Sequence, residues 1–426
     1  MHQAATGWRR LTVLGAVAVL SAAACGSSTS SGGKSVTVIG TWAGDEQKAF
    51  LAMVKPWEDE TGNTVKYTGT RDINTVLTTG VASGVLPDLA GLPGPGQMAE
   101  YAKAGALKPL DGILDVTTYK NETAPALVSL GTVDGKLTGV FIKAAVKGLI
   151  WYNPKTHDYS SAPPTTWSDL MSQAAANKGS AAAIWCLGLG SGAASGWPGT
   201  DWIEDIVLRQ AGPQVYNDWW AGKAKWTSPE IKAAFQTYLT DVVGNISDPV
   251  AAVDPTKDFS VAGDPLFSNP PGCEVFHQAS FITGLGAFKG KTAGTDYNFF
   301  PFPDINTQFA GSVEGAGDLF GMFHDTDAAK SLMKYLVTAK AQDIWVKLGG
   351  ALSANKNATD YPDDISKRSA ALLSGAKNFV FDASDLMPSA MNQAFWTAML
   401  DVTKDPSKLD SVLASLDTVQ GTAYTP

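Results

Sequence analysis

Between residues 35 and 110 the chain alternates short β-branched runs with stretches of helical spacing. Residues 36–40 form an apolar run of strand length. In 46–60, Phe50, Leu51, Val54 and Trp57 recur at the three- and four-residue steps of one helix face. Residues 64–68 read as the next strand and 72–83 as the next helix, with Asp72 at or near its N-cap. Residues 87–92 and 96–104 repeat the pair. This alternation predicts a mostly parallel sheet with helices on both faces. The run 137–152 is long, extended and broken only by Lys143, Lys147 and two glycines, which suits a strand leaving one lobe and entering another. A second α/β set follows, with helices over 167–177, 201–210 and 229–242 and a strand over 182–187. Beyond it come a strand at 297–302 and helices at 327–338, 342–348, 389–401 and 407–419. No repeat of 20–50 residues is evident, which sets solenoids and propellers aside.

Length agrees with two lobes, since 426 residues exceed the roughly 100–200 of one domain. Hydrophobic residues make up 44% and charged residues 17%, a balance that favours a packed core over disorder. The formal charge of -9 becomes -11 if the basic start carrying Arg9 and Arg10 is removed. No basic stripe offsets it, so nucleic acid is not an expected partner.

At the N-terminus Trp8-Arg9-Arg10 precedes an apolar run of 14 residues from Leu11 to Ala24. A spanning helix needs about 20, so the run fits a signal peptide over 1–24. Ala22-Ala23-Ala24-Cys25 resembles the lipobox of bacterial lipoproteins, with Ala22 where that family prefers Leu. The resemblance implies diacylation of Cys25 and a protein held outside the cell by lipid. Residues 25–34, rich in Gly and Ser, then form a flexible tether. Export exposes the remaining cysteines, Cys186 and Cys273, to oxidising conditions, where they can pair as a disulfide or remain buried thiols. There is no Cys-x-x-Cys and the four His are scattered, so no metal and no cofactor are expected.

Several segments, taken in order, resemble the sugar-binding receptors of bacterial ABC importers, the class that includes the maltose-binding protein. They are Gly40-Thr-Trp-Ala-Gly-Asp-Glu46, Trp57-Glu-Asp-Glu-Thr-Gly62, Pro87-Asp88, Tyr101-Ala-Lys-Ala-Gly-Ala-Leu-Lys-Pro-Leu110 and Gly148-Leu-Ile-Trp-Tyr-Asn-Pro154. Gly192-Ala-Ala-Ser-Gly-Trp-Pro-Gly-Thr-Asp-Trp202 and Phe381-Asp-Ala-Ser-Asp-Leu-Met-Pro388 are similar, more narrowly, to the alpha-glucoside branch. The resemblance implies an α/β, two-lobed, periplasmic-binding-protein-like (type II) fold with a hinge between the lobes. It places lobe 1 at 35–146 plus 311–351 and lobe 2 at 147–310 plus 352–426. It also implies a monomeric, non-enzymatic receptor that passes an oligosaccharide to an ABC permease.

A sugar offers C–H faces for aromatic stacking and hydroxyls for charge-assisted hydrogen bonds. Candidate ligand residues are Trp42, Asp45 and Glu46 after the first strand, Arg71 and Asp72 after the second, and Trp151 on the crossing strand. Further on they are Trp197, Asp201, Trp202, Gln278, Asp318, Asp382, Asp385 and Trp396. Asp72 serves equally as a helix cap, a role open to Asp45 as well, and Trp151 and Trp396 serve equally as core. Glu204 and Asp205 share a helical face with Asp201 and read as solvated. Gly94-Pro-Gly96 lets backbone approach a ligand or makes a plain turn.

Two rivals remain. A secreted glycoside hydrolase also needs paired carboxylates in a sugar cleft. Gly188-Leu-Gly-Ser-Gly-Ala193 fits a dinucleotide fingerprint, yet Gly196 and Pro198 interrupt the helix it requires.

Overall fold

The computed structural model describes residues 33–92 and 94–424. The expected signal peptide, Cys25 and the tether as far as residue 32 lie outside the described residues.

Twelve strands occur among these residues, in two main sheets and a hairpin. β1 (Ser35–Gly40) pairs in parallel with both β2 (Thr64–Gly69) and β3 (Leu89–Leu92), as the alternation predicted. The helix Gly44–Thr61 makes the first crossover and buries Phe50, Met53, Val54 and Trp57. The helix Ile73–Ser83 makes the second. β4 (Thr132–Val133) and β5 (Lys136–Leu137) form the hairpin.

The run expected as one crossing strand is two. β6 (Gly139–Val146) belongs to the first sheet, and β7 (Leu149–Tyr152) to the second. The break falls at Lys147-Gly148, where Gly148 has φ +64°, a conformation that a side chain disfavours. In the second sheet β7 lies between β9 (Cys273–Gln278) and β10 (Asn298–Pro301), with β8 (Ala183–Cys186) on the far edge. β8 and β9 are joined by the disulfide Cys186–Cys273, whose Cα atoms are 5.2 Å apart.

β11 (Ser312–Met322), the longest strand, went unread in the sequence because three glycines and two acids interrupt it. It carries β6 along one edge, and β3 and β12 (Asn378–Phe381) on the other. Residues 352–426, expected wholly in the second lobe, thus lend β12 to the first sheet. A bulge in the β11–β6 register lies between Asp318 and Leu319, the kind of irregularity that re-aims a side chain beside a site.

Each sheet has its own aromatic-rich core. Trp42, Phe50, Trp57, Phe320 and Trp345 pack against the first. Trp185, Trp202, Trp219, Trp226 and Phe395 fill the other.

Candidate ligand-binding site

Where β6 and β11 lead toward the second sheet, the chain encloses a cavity of about 140 Å³. The loop after β1 contributes Thr41 and Trp42, the first turn of the next helix Glu46, and the segment after β2 Arg71 and Asn74. Lys143, Lys147, Gly317 and Asp318 come from the crossing segments. Trp197, Asp201, Phe259 and Phe281 arrive from the second-sheet side. Asp382, Ser384 and Asp385 follow β12, and Trp396 lies on the helix Ser389–Lys404.

The helix Trp197–Gln210 shapes much of this wall. Pro198 in its first turn suits a helix start, since proline lacks the N–H that would be unpaired there. Trp197 is therefore the first helical residue and not a loop residue, as the surrounding glycines suggested. It remains partly exposed, with Phe259 edge-on at 4.7 Å and Lys147 Nζ 5.0 Å from its ring centre.

Two lysines organise the charges. Lys147 Nζ donates to both oxygens of Asp201 at 2.8 Å and pairs with Asp382 Oδ2 at 2.9 Å. Burial alone would favour the neutral amine, but Asp201 and Asp382 reverse this and hold its pKa well above the usual lysine value. Lys143 bridges Glu46 at 3.2 Å and Asp318 at 3.5 Å, and Arg71 reaches Glu46 at 3.6 Å. Five carboxylates and three cations line the cavity, so the lining has no positive excess to attract an anion. Aromatic faces between charged, hydroxyl-bonding groups suit a neutral, hydroxyl-rich molecule.

Nine candidates from the sequence meet here: Trp42, Glu46, Arg71, Trp197, Asp201, Asp318, Asp382, Asp385 and Trp396. Asp45 sits at an adjoining opening, paired with Lys289 at 2.7 Å. Asp72 is exposed in a neighbouring depression, and its side chain makes no capping bond. Three candidates are core residues. Trp151 is enclosed by Phe288, Tyr297 and Phe299 and donates to the Gln278 carbonyl. Trp202 lies edge-on to Trp185 and stacks on His277. Gln278 is buried and spends its side-chain oxygen on the N–H of Ala279. Strand and helix periodicity put these three on the inner face, which spacing to a glycine or cysteine does not reveal.

Glu204 and Asp205 are also not on a solvated face. Both are fully buried: Glu204 accepts the N–H groups of Ala383 and Ser384, and Asp205 pairs with Arg209 and His277. Gly94 and Gly96 face no ligand. A Cβ at either would fall 2.4 Å or less from the carbonyl of Asp385 or Met387, so glycine lets that turn close on the 382–387 segment.

Lys143, Lys147, Phe259 and Phe281 were missed. For the lysines a signal existed: they are the only charges in an apolar run, and a buried lysine requires acidic partners. Phe259 and Phe281 lie in irregular segments with no readable period.

Known proteins now bear on the chain. Residues 43–343 match the family described as bacterial extracellular solute-binding protein. The osmoprotective compounds-binding protein GgtB of Synechocystis sp. is 36% identical over 383 residues, covering 86% of this chain and 88% of that protein. The alpha-glucosides-binding periplasmic protein AglE of Rhizobium meliloti is 32% identical, covering 89% and 85%. Among solved structures, the solute receptor AcbH aligns with TM-score 0.79 at 19% identity, over 92% of this chain and 100% of that one. A chitin oligosaccharide binding protein aligns at 0.76 and 22%, over 92% and 99%. The chain belongs to the bacterial extracellular solute-binding protein family, has the two-lobed α/β fold of such receptors, and works outside the cytoplasm.

Proposed function

We propose that this protein is the lipid-anchored receptor of an ABC importer, and that its cleft closes on an alpha-glucoside or a similar compact, uncharged solute. The observation that carries the reading is the cavity lining: Trp42, Trp197 and Trp396 interleaved with Glu46, Arg71, Asp201, Asp318, Asp382 and Asp385. The partly exposed indoles of Trp197 and Trp396 supply stacking faces, Trp42, packed against Tyr67 and Phe320, backs the cavity, and the charged groups grip hydroxyls. The name of one relative, which is for alpha-glucosides, supports that ligand class. In this reading the lobes divide near residue 147, the protein is a monomer held by acylated Cys25, and a permease receives the solute.

Tryptophan fluorescence titrated with maltose, trehalose, sucrose, galactose and a sugar phosphate tests it. Saturable binding of at least one alpha-glucoside near about 1 μM, equivalent to roughly -8 kcal/mol, is expected, with no response to the phosphate. Tight binding of the phosphate alone, or release of glucose from maltose, would overturn it.

A further inference from the structure

After β9 the chain makes two short turns, Ser280–Gly284 and Gly286–Phe288, before it reaches Lys289. The second-sheet side holds this segment firmly. Asp264 accepts the Ala287 N–H at 2.7 Å, and the fully buried Phe288 packs edge-on to Trp151, Phe267 and Tyr297.

From that base the segment touches the first-sheet side in three places. The Phe281 ring centre lies 5.2 Å from Lys143 Nζ of β6. Gly284 meets Gly350 backbone to backbone, so closely that a Cβ on either would fall 3.2 Å or less from the Cα of the other. Lys289 Nζ stands 2.7 Å from Asp45 Oδ1, in the first turn of the helix Gly44–Thr61. Asp45 and Lys289 both line the opening beside the cavity, while Glu46 and Phe281 line opening and cavity alike.

Neither a capping role nor a place on the cavity wall accounts for Asp45. Ala43 holds the N-cap position of its helix, and Asp45 is not part of the cavity lining. Lys48 also reaches Asp45, at 2.9 Å, but from the same helix, so that bond is indifferent to how the two sides stand. The bond to Lys289 exists only while they are together. Of the two lysines, Lys289 does more to hold the Asp45 carboxyl below its ordinary pKa.

We propose that residues 280–289 form a clasp that holds the cleft shut, with the Asp45–Lys289 ion pair as its outer catch. The proposal rests on a cleft that opens and closes, and not on which solute fills it. The two side chains are 32% and 54% exposed, so the catch is weak: exposed pairs shift an equilibrium by about 1.5- to 5-fold. A weak catch suits a receptor that must also release what it binds. A neutral solute is not steered by charge, so losing the catch changes the closed population and the release rate, and leaves the rate of capture as it is.

The test is read first without any sugar, which keeps it apart from the ligand reading. Dyes on Val85→Cys and Val250→Cys, exposed positions on the first- and second-sheet sides, report the ratio of closed to open molecules by single-molecule fluorescence transfer. Lys289→Glu should lower that ratio roughly two- to tenfold, through the lost pair and the repulsion that replaces it. Adding Asp45→Lys should bring it back to within about twofold of the parent, and the effect of Lys289→Glu should shrink in about 1 M salt. Where the parent closes only around a sugar, stopped-flow release of maltose or trehalose should quicken and recover in the same order. An unchanged ratio and release rate in Lys289→Glu would overturn the proposal. So would a loss that the reversed pair fails to restore, since Lys289 would then act without Asp45, or a protein that closes neither alone nor with either sugar.

Discussion

Replacing Lys147 with methionine keeps the aliphatic stem and deletes the charge. The side chain is 6% exposed, and its ammonium group stands 2.8 Å from Asp201 and 2.9 Å from Asp382. Among the described ion pairs, neither carboxylate has another cation. The variant would therefore bury two carboxylates without a countercharge. Breaking a buried pair from one side costs about 3–5 kcal/mol, and the contact with the Trp197 ring adds about 0.5–1 kcal/mol to the loss. With unfolding entropy near 2.1 cal/mol/K per residue, a folded body of roughly 390 residues shifts Tm by about 1.2 °C per kcal/mol. Differential scanning calorimetry at pH 7 should thus show a fall of roughly 4–7 °C. A second substitution, Asp201→Asn, removes part of the stranded charge, so the double variant should melt above the sum of the two single losses. A Lys147→Met variant melting within about 1 °C of the parent, or strict additivity in the pair, would refute the reasoning.

Three further outcomes are expected. Trp197→Ala should weaken ligand binding by more than about tenfold, or 1.4 kcal/mol, in isothermal calorimetry; unchanged affinity would make this indole packing alone. Trp202→Phe should cost about 1–3 kcal/mol of stability in urea melts while leaving ligand affinity unmoved, because the ring touches Trp185 and His277 and not the cleft. Glu274, buried beside the Tyr159 hydroxyl, has its carboxyl pushed by burial from 4.5 up to about 7. The native state therefore holds this proton more tightly than the unfolded chain, so its stabilisation is complete below pH 4.5 and drains away as pH rises through about 7. Urea midpoints at pH 5 and 8 should differ less in Glu274→Gln than in the parent, and equal slopes would count against the assignment.

Local pattern carried the sequence a long way. The first three strand–helix pairs were legible because apolar spacing and Gly/Pro punctuation act within a few residues, and the structure keeps them nearly in place. The order of motifs pointed to a family that the relatives bear out. Nine of the candidates also line the cavity, a few on segments after strands such as Trp42, Arg71 and Asp382, the others on helices or on β11, where the order of motifs and not local pattern marked them.

What the chain could not show by itself is which way a side chain faces once distant segments meet. Trp197 and Trp202 stand five residues apart on one helix, yet one lines the cavity and the other fills the core. That choice belongs to Trp185, Phe259 and His277, which are remote in sequence. β11 defied its own composition because β6 and β3 pair both of its edges, and partners outweigh propensity in a central strand. Glu204 and Asp205 looked like a solvated stripe until backbone N–H groups, Arg209 and His277 closed over them. Periodicity is a property of neighbours along the chain, whereas burial and charge pairing are properties of neighbours in space, and only the tertiary structure decides those.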